Sequence, residues 1–322
     1  MQGIQQKICY ILQKHFIITF EKKNPQYLFY SVFGSEHIKY DCVRIFYTGE
    51  NITPNFNICD YAIGFDHISF LDRYLRYPLY LFYEQDTAKA MNKHNNIDLS
   101  ILQSKTRFCN FIVSNGNADP VRESVFRALS AFKKVDSGGK YLNNIGSPIA
   151  DKFAFQSECR FSLCFENSST PGYVTEKLIQ AAAAQTIPIY WGDTQADKEI
   201  CNGGGGINKK AIINAHNFPT IESLIAHIKT IESDTNTQLA ILKEPLFLDP
   251  NHIEYFESKL QDFLLHIFNQ SYEKSFRRGR ACLRLFEEQN YKRYMAILAI
   301  FKQAKSILKY CKTKLEHIKQ HL

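Results

Sequence analysis

The chain has 322 residues, 45% of them hydrophobic and 22% charged, a globular balance that excludes a disordered or low-complexity chain and allows one large domain or two smaller ones. No run approaches the roughly 18–20 uninterrupted apolar residues of a membrane span, and the apolar stretch at the N-terminus, broken by Gln13, Lys14 and His15, lacks the small-residue site of a cleaved signal. The net charge of +7 is concentrated, because residues 273–322 hold thirteen Lys and Arg against four Glu whereas residues 1–272 sum to −2. The nine cysteines form no Cys-x-x-Cys pair, which argues for a reducing compartment and against a disulfide framework or a zinc site. A cytoplasmic protein is the expectation.

In chain order, residues 43–48 (VRIFYT) predict a strand ending at Gly49, and residues 61–65 (YAIGF) a second. Residues 87–105 are polar with few β-branched side chains and read as a linker. Residues 108–114 (FCNFIVS) predict a buried strand, followed by a polar loop and a helix over 120–133; residues 161–165 (FSLCF) predict another, followed by a loop and a helix over 174–184. Strands are expected over 186–191 (TIPIYW) and 211–213, and the glycine tract 203–206 reads as a mobile loop, with no Gly-Lys-Ser/Thr after it to make a phosphate loop. Alternating strand and helix means βαβ units and parallel sheets, two of them in a chain of this length. From about residue 281 to 317 the tail reads as a basic amphipathic helix, with Leu285, Ile297, Ile300, Phe301, Ile307, Leu308 and Leu315 among Lys and Arg. Such a helix lies on anionic lipid or packs with a solvated basic face; no nucleic-acid-binding module accompanies the charge.

Ligands of open α/β sheets sit at the carboxyl ends of the strands. Three such ends carry unusual residues: Gly49, Glu50 and Asn51; Asn115 and Arg122; and the densest cluster, Glu166, Asn167, Ser168, Gly172, Tyr173, Thr175, Glu176 and Lys177. The last lies at an expected helix N-terminus, which favours an anion such as a diphosphate.

The run FSLCFENSSTPGYVTEKLIQAAAAQTIPIYWGD (161–193) resembles the donor-binding signature of family-10 glycosyltransferases, the α1,3/4-fucosyltransferases. IFYTGEN (45–51), PNFNICDYAIGFD (54–66), DRYLRYPLY (72–80) and FIVSNGNADPVRESVFRAL (111–129) are similar to the Helicobacter-like bacterial members, and the matches keep their order over roughly 43–230. The resemblance implies a GT-B fold, two Rossmann-like domains facing a central cleft. Residues 1–105 would form the acceptor-side domain, 106–270 the GDP-fucose-binding domain and 271–322 the basic helical tail.

It further implies an inverting transfer of L-fucose from GDP-fucose to an oligosaccharide acceptor, N-acetylglucosamine in lactosamine-type or lipopolysaccharide O-antigen glycans, at the inner face of the cytoplasmic membrane. Glu50 matches the catalytic base, Arg122 and Lys177 the cations that meet the leaving diphosphate, Glu176 the contact to the ribose hydroxyls, and Asn167 and Tyr173 further donor contacts. The residues alone leave other roles open: a surface Glu for Glu50, solvated helix charges for Arg122 and Lys177, a first-turn carboxylate for Glu176, an Asx turn for Asn167 and a packed ring for Tyr173. Tyr190 and Trp191 read as core. With no Asp-x-Asp in the chain, no metal cofactor is expected. Two features depart from the family pattern. Its Trp-Trp-Gly element lies upstream of the matched region, so either the first sheet lacks a strand or the start lies upstream; and residues 201–207 resemble an insertion before Asn208. A different donor sugar or linkage, or a catalytically silent nucleotide-binding relative, are the competing readings.

Overall fold

The computed structural model of the chain describes residues 2–196, 206–279 and 282–319. Among these, the strands are β1 (Tyr27–Tyr30), β2 (Val43–Tyr47), β3 (Tyr61–Gly64), β4 (Tyr74–Arg76), β5 (Arg107–Phe111), β6 (Val135–Ser137), β7 (Cys159–Phe165), β8 (Ile187–Trp191) and β9 (Ile213–Asn214). They form two sheets, ordered β1-β2-β3-β4 and β6-β5-β7-β8-β9. β1 runs parallel to β2 and β2 to β3, and every pairing in the second sheet is parallel. The expectation of two parallel sheets therefore holds.

The chain divides into two compact units. One comprises Met1–Ile18, Thr48–Thr53 and Gly64–His266, the other Thr19–Tyr47, Pro54–Ile63 and Ile267–Leu322. This division does not follow the expected boundaries at 105 and 270, because the segments 1–18, 48–53 and 64–105 belong to the unit that holds the second sheet. Residues 87–105 are not a linker. They contribute to helices Glu84–Met91 and Leu99–Ser104, in which Thr87, Ala90 and Leu102 are buried. Most of the polar side chains that suggested a linker are exposed, whereas Thr87, Lys93 and Lys105 are buried.

In the first unit the second sheet is the core. β7 (CRFSLCF) has six of its seven residues buried, as a central strand covered on both faces must. Phe111, Phe161, Phe165, Ile187 and Ile189 pack with Val125 and Leu129 of helix Val121–Phe132 and with Ile228 of helix Ile221–Ser233. Helix Glu176–Ala183 carries Leu178, Ala181 and Ala182 on its buried side. The strand order is that of a doubly wound sheet whose first strand, β5, lies inside, so the order reverses between β5 and β7. That switch point is where such sheets bind ligands. Helix Gln2–Gln13 joins this unit through the buried Lys7, which pairs with Glu84 at 3.1 Å and with Glu257.

In the other unit, buried Arg44 and Arg278 meet buried Asp60, whose Oδ2 accepts from Arg44 N–H at 2.7 Å and from the Arg278 guanidinium. Glu288 of the C-terminal helix Cys282–Lys319 reaches the Arg44 guanidinium at 3.1 Å. The expected tail helix is thus present and its first turns are tied down. Beyond them, Ile297, Ile300, Phe301, Ile307 and Leu308 are exposed. No described helix is long and apolar enough to cross a membrane.

Most expected elements recur with ends shifted by one to three residues. The segment 211–213 differs: a 3-10 turn Lys209–Ala211 precedes β9. β1, β4 and β6 were not expected; each has only three or four residues, too few for a period to show. The expected glycine loop at 203–206 and the insertion at 201–207 fall largely outside the described residues.

Candidate functional site

The switch point is built from the loops that follow β5 and β7. Arg122, at the start of helix Val121–Phe132, is buried. Its guanidinium donates to Asn167 Oδ1 at 2.8 Å and to the Asn115 carbonyl. Asp119 N–H donates to the Asn167 carbonyl at 2.8 Å. Two loops separated by 45 residues are thereby locked side by side. Burial pushes the Arg122 pKa down, opposed by the nearby Tyr141 and Glu166, so this guanidinium is a cation only partly compensated by its neighbours.

Past Asn167 the chain turns through Gly172, whose φ of +85° is open chiefly to glycine; a Cβ there would also stand 2.6 Å from the Phe65 carbonyl oxygen. Tyr173 follows, buried edge-on against Phe65 with ring centroids 5.0 Å apart. Burial, then Glu166, pushes its phenol pKa up, and Glu50 adds to the effect. Asn51, the residue after Glu50, ties the loop that follows β2 to this one, its side-chain amide donating to Ser168 Oγ at 2.6 Å and to Thr170 Oγ1 at 2.7 Å. The Glu50 backbone is held by Thr48 and Ile52, and its side chain is exposed.

Helix Glu176–Ala183 begins at Thr175. Its N-terminus is expected to favour an anion such as a diphosphate, and the chain itself brings one carboxylate to the first of its N–H groups. Fully buried Glu166 accepts Thr175 N–H at 2.8 Å and the Lys177 ammonium at 3.0 Å. Glu176 stands 3.5 Å from the same ammonium. Burial works against the charge on Lys177, but Glu166 and Glu176 outweigh it and hold the pKa above the usual lysine range. Burial would raise Glu176, yet Lys177 and then Lys152 bring it below the usual carboxylate range. Lys177 is thus a charged group already paired, not a solvated one. Tyr190 is core, as expected, whereas Trp191 is half-buried and stacks between Phe165 and His216, with centroids 6.0 and 5.6 Å away.

The structure thus gathers Arg122, Asn167, Tyr173, Glu176 and Lys177 around one loop, with Glu50 alongside. The sequence reading assigned no role to Glu166, Asn51, Thr175 or Lys152. Glu166 and Asn51 stood at strand ends as a signal; Lys152 carried none. No cluster of three or more His, Cys, Asp or Glu suited to a metal occurs among the described residues.

The comparisons with known proteins bear on this arrangement. Residues 1–83 match the model of the α-(1,3)-fucosyltransferase FucT N-terminal domain, and residues 102–242 that of the glycosyltransferase family 10 (fucosyltransferase) C-terminal region. A crystal structure of an α1,3-fucosyltransferase superposes with a TM-score of 0.67 at 30% identity, covering 82% of this chain and 86% of that one. This chain belongs to glycosyltransferase family 10. The family-10 chain is also 35% identical over 273 residues to the α-(1,3)-fucosyltransferase FucT of Helicobacter pylori, covering 74% of itself and 55% of that protein; it spans about half the length of that curated relative. A crystal structure of an α1,3-fucosyltransferase with GDP-fucose superposes with a TM-score of 0.59 at 28% identity, covering 80% of this chain and 96% of that one. The fold is accordingly α/β of the GT-B type, with two parallel Rossmann-like sheets and a basic C-terminal helix.

Proposed function

We propose that this family-10 chain is an inverting α1,3-fucosyltransferase that moves L-fucose from GDP-β-L-fucose to the N-acetylglucosamine of lactosamine-type or lipopolysaccharide O-antigen glycans. The observation that carries this reading is the placement of the Glu50 loop beside the Asn167–Lys177 loop, held by the Asn51 amide on Ser168 and Thr170. In this reading the Glu50 carboxylate and the Arg122 and Lys177 cations serve one reaction. Glu50 takes the proton of the acceptor hydroxyl. That oxygen bonds to the fucose anomeric carbon from the face opposite the nucleotide, and the carbon–oxygen bond to the β-phosphate breaks, its electron pair leaving with GDP. The β-linked donor becomes an α-linked product. Arg122 and Lys177 meet the charge that grows on the diphosphate. Glu176, with Asn167 and Tyr173, engages the rest of the donor, Glu176 through the ribose hydroxyls. Because cationic side chains supply this stabilisation and the chain has no Asp-x-Asp, the transfer requires no metal. In this reading the enzyme works at an anionic membrane surface on the cytoplasmic side, which the exposed apolar side chains of the basic tail helix support.

The test is GDP release from GDP-fucose in the presence of EDTA over a panel of lactosamine-type acceptors. Acceptor-dependent release supports the reading. GDP release with another nucleotide sugar alone replaces the donor, and GDP binding without turnover on any acceptor points to a silent relative.

A further inference from the structure

Glu166 takes no part in the transfer as derived above, yet it is the most constrained carboxylate of the site. It is fully buried, and a buried carboxylate is costly unless paired and hydrogen-bonded. Its pairing is complete: Oε1 takes the Thr175 N–H at 2.8 Å, the Thr175 hydroxyl lies 2.7 Å from Oε2, and Lys177 Nζ lies 3.0 Å from Oε2. Lys177 Nζ is also 2.9 Å from the Thr175 hydroxyl, closing a triangle. The backbone closes on its side chain, since a Cβ on Gly192 would fall 2.5 Å from Glu166 Cγ. A free lysine side chain loses rotamer entropy when it is fixed; here Lys177 is fixed before any ligand arrives.

We propose that Glu166 is a positioning residue for the donor, holding the Lys177 ammonium, through the ion pair and the shared Thr175 hydroxyl, where it meets the diphosphate of a nucleotide sugar. This rests on the reading that the chain binds GDP-fucose. The proposal makes a prediction opposite in sign to simple charge counting. Glu166, Glu176, Lys177 and Lys152 sum to zero charge, so neutralising Glu166 leaves the cluster positive and by electrostatics alone would tighten an anionic ligand. If positioning dominates, binding weakens instead.

The experiment is calorimetric titration of GDP into the wild-type chain, Glu166→Gln, Lys177→Met and the double variant. The expected result is that Glu166→Gln weakens GDP binding by about tenfold, and that the double variant binds no more weakly than Lys177→Met alone. Tighter or unchanged GDP binding in Glu166→Gln, or effects that multiply in the double variant, would overturn the positioning role. Should Glu166→Gln fail to fold, Thr175→Val keeps the backbone N–H to Glu166 and removes only the shared hydroxyl. It is expected to weaken GDP about threefold or more, and unchanged affinity there counts against the proposal. A wild-type chain that binds no GDP overturns the fucosyl-transfer reading together with this one. Wild-type binding with independent variants overturns only the role of Glu166.

Discussion

Glu50 projects into solvent from a loop whose backbone is pinned on both sides, by the Thr48 hydroxyl at 2.9 Å and by Ile52 N–H at 2.8 Å. A carboxylate so placed is held by its backbone and not by partners that would have to be displaced, as the proposed role of base requires. Glu50→Gln is therefore expected to lower kcat by 10²-fold or more, on the order of the contribution of a general base, with GDP affinity in calorimetry unchanged; loss of GDP binding would remove it from the role of base. Gly192 is a second single-residue determinant. An added methyl would stand 2.5 Å from Glu166 Cγ and 2.8 Å from the Tyr190 hydroxyl, so Gly192→Ala has to displace a fully packed carboxylate. A cost of about 1–3 kcal/mol in denaturant unfolding is expected, together with weaker GDP binding. Wild-type stability would show that the site has slack the geometry denies.

At the scale of elements, the C-terminal helix has two parts with different surroundings. Glu288 pairs with Arg44 and Lys292, and the Tyr291 ring lies 5.6 Å from that of His37; further along, the exposed apolar side chains share the helix with Lys302 and Lys305. Removing Glu288 would take the ion pair from the buried Arg44 and leave its guanidinium on the Tyr40 and Ile58 carbonyls, at a cost of about 1.5–3 kcal/mol. A truncation that tests membrane attachment should accordingly delete only 294–322. That variant is expected to stay folded and to lose co-sedimentation with anionic vesicles, and persistent binding would move the membrane contact elsewhere. The same region has a pH signature. Burial, reinforced by Arg44, lowers the His37 pKa to about 4, and its ring stacks on Tyr30 with centroids 4.0 Å apart. Between pH 6.5 and 4 the unfolded chain binds a proton that the folded one refuses, so stability falls as the pH drops through that window. His37→Phe is expected to reduce the slope of this part of the stability profile, leaving the share of His67, whose pKa burial likewise lowers to about 4, measured by thermal melting from pH 7 to 4; an unaltered profile would assign the acid sensitivity to other groups.

For the whole molecule, a ligand that binds only the native state stabilises it by about 2.7 kcal/mol at a hundred times its Kd. GDP is therefore expected to raise the melting temperature with or without EDTA. A shift abolished by EDTA would refute metal-independent donor binding. Much of this molecule was legible in one dimension. β2, β3, β5, β7 and β8 are runs of buried apolar residues bounded by turns, a pattern local enough to read directly, and the loops after β2, β5 and β7 could be singled out because strand ends are where α/β sheets place their polar chemistry. The strand order was not legible. Putting β5 between β6 and β7 brings Arg122 to Asn167 across 45 residues, and the Asn51 amide reaches Ser168 across 117, distances over which no local period carries information. The same holds for the short strands β1, β4 and β6, for the assignment of 1–18, 48–53 and 64–105 to the unit of the second sheet, and for the partner of Lys177. By itself the sequence determined which segments could be buried and which residues could bear charge at their ends. Which of those charges meet, and that Glu166 takes the Thr175 N–H at the start of the helix from within the chain, depended on how burial and hydrogen bonding were resolved together in three dimensions.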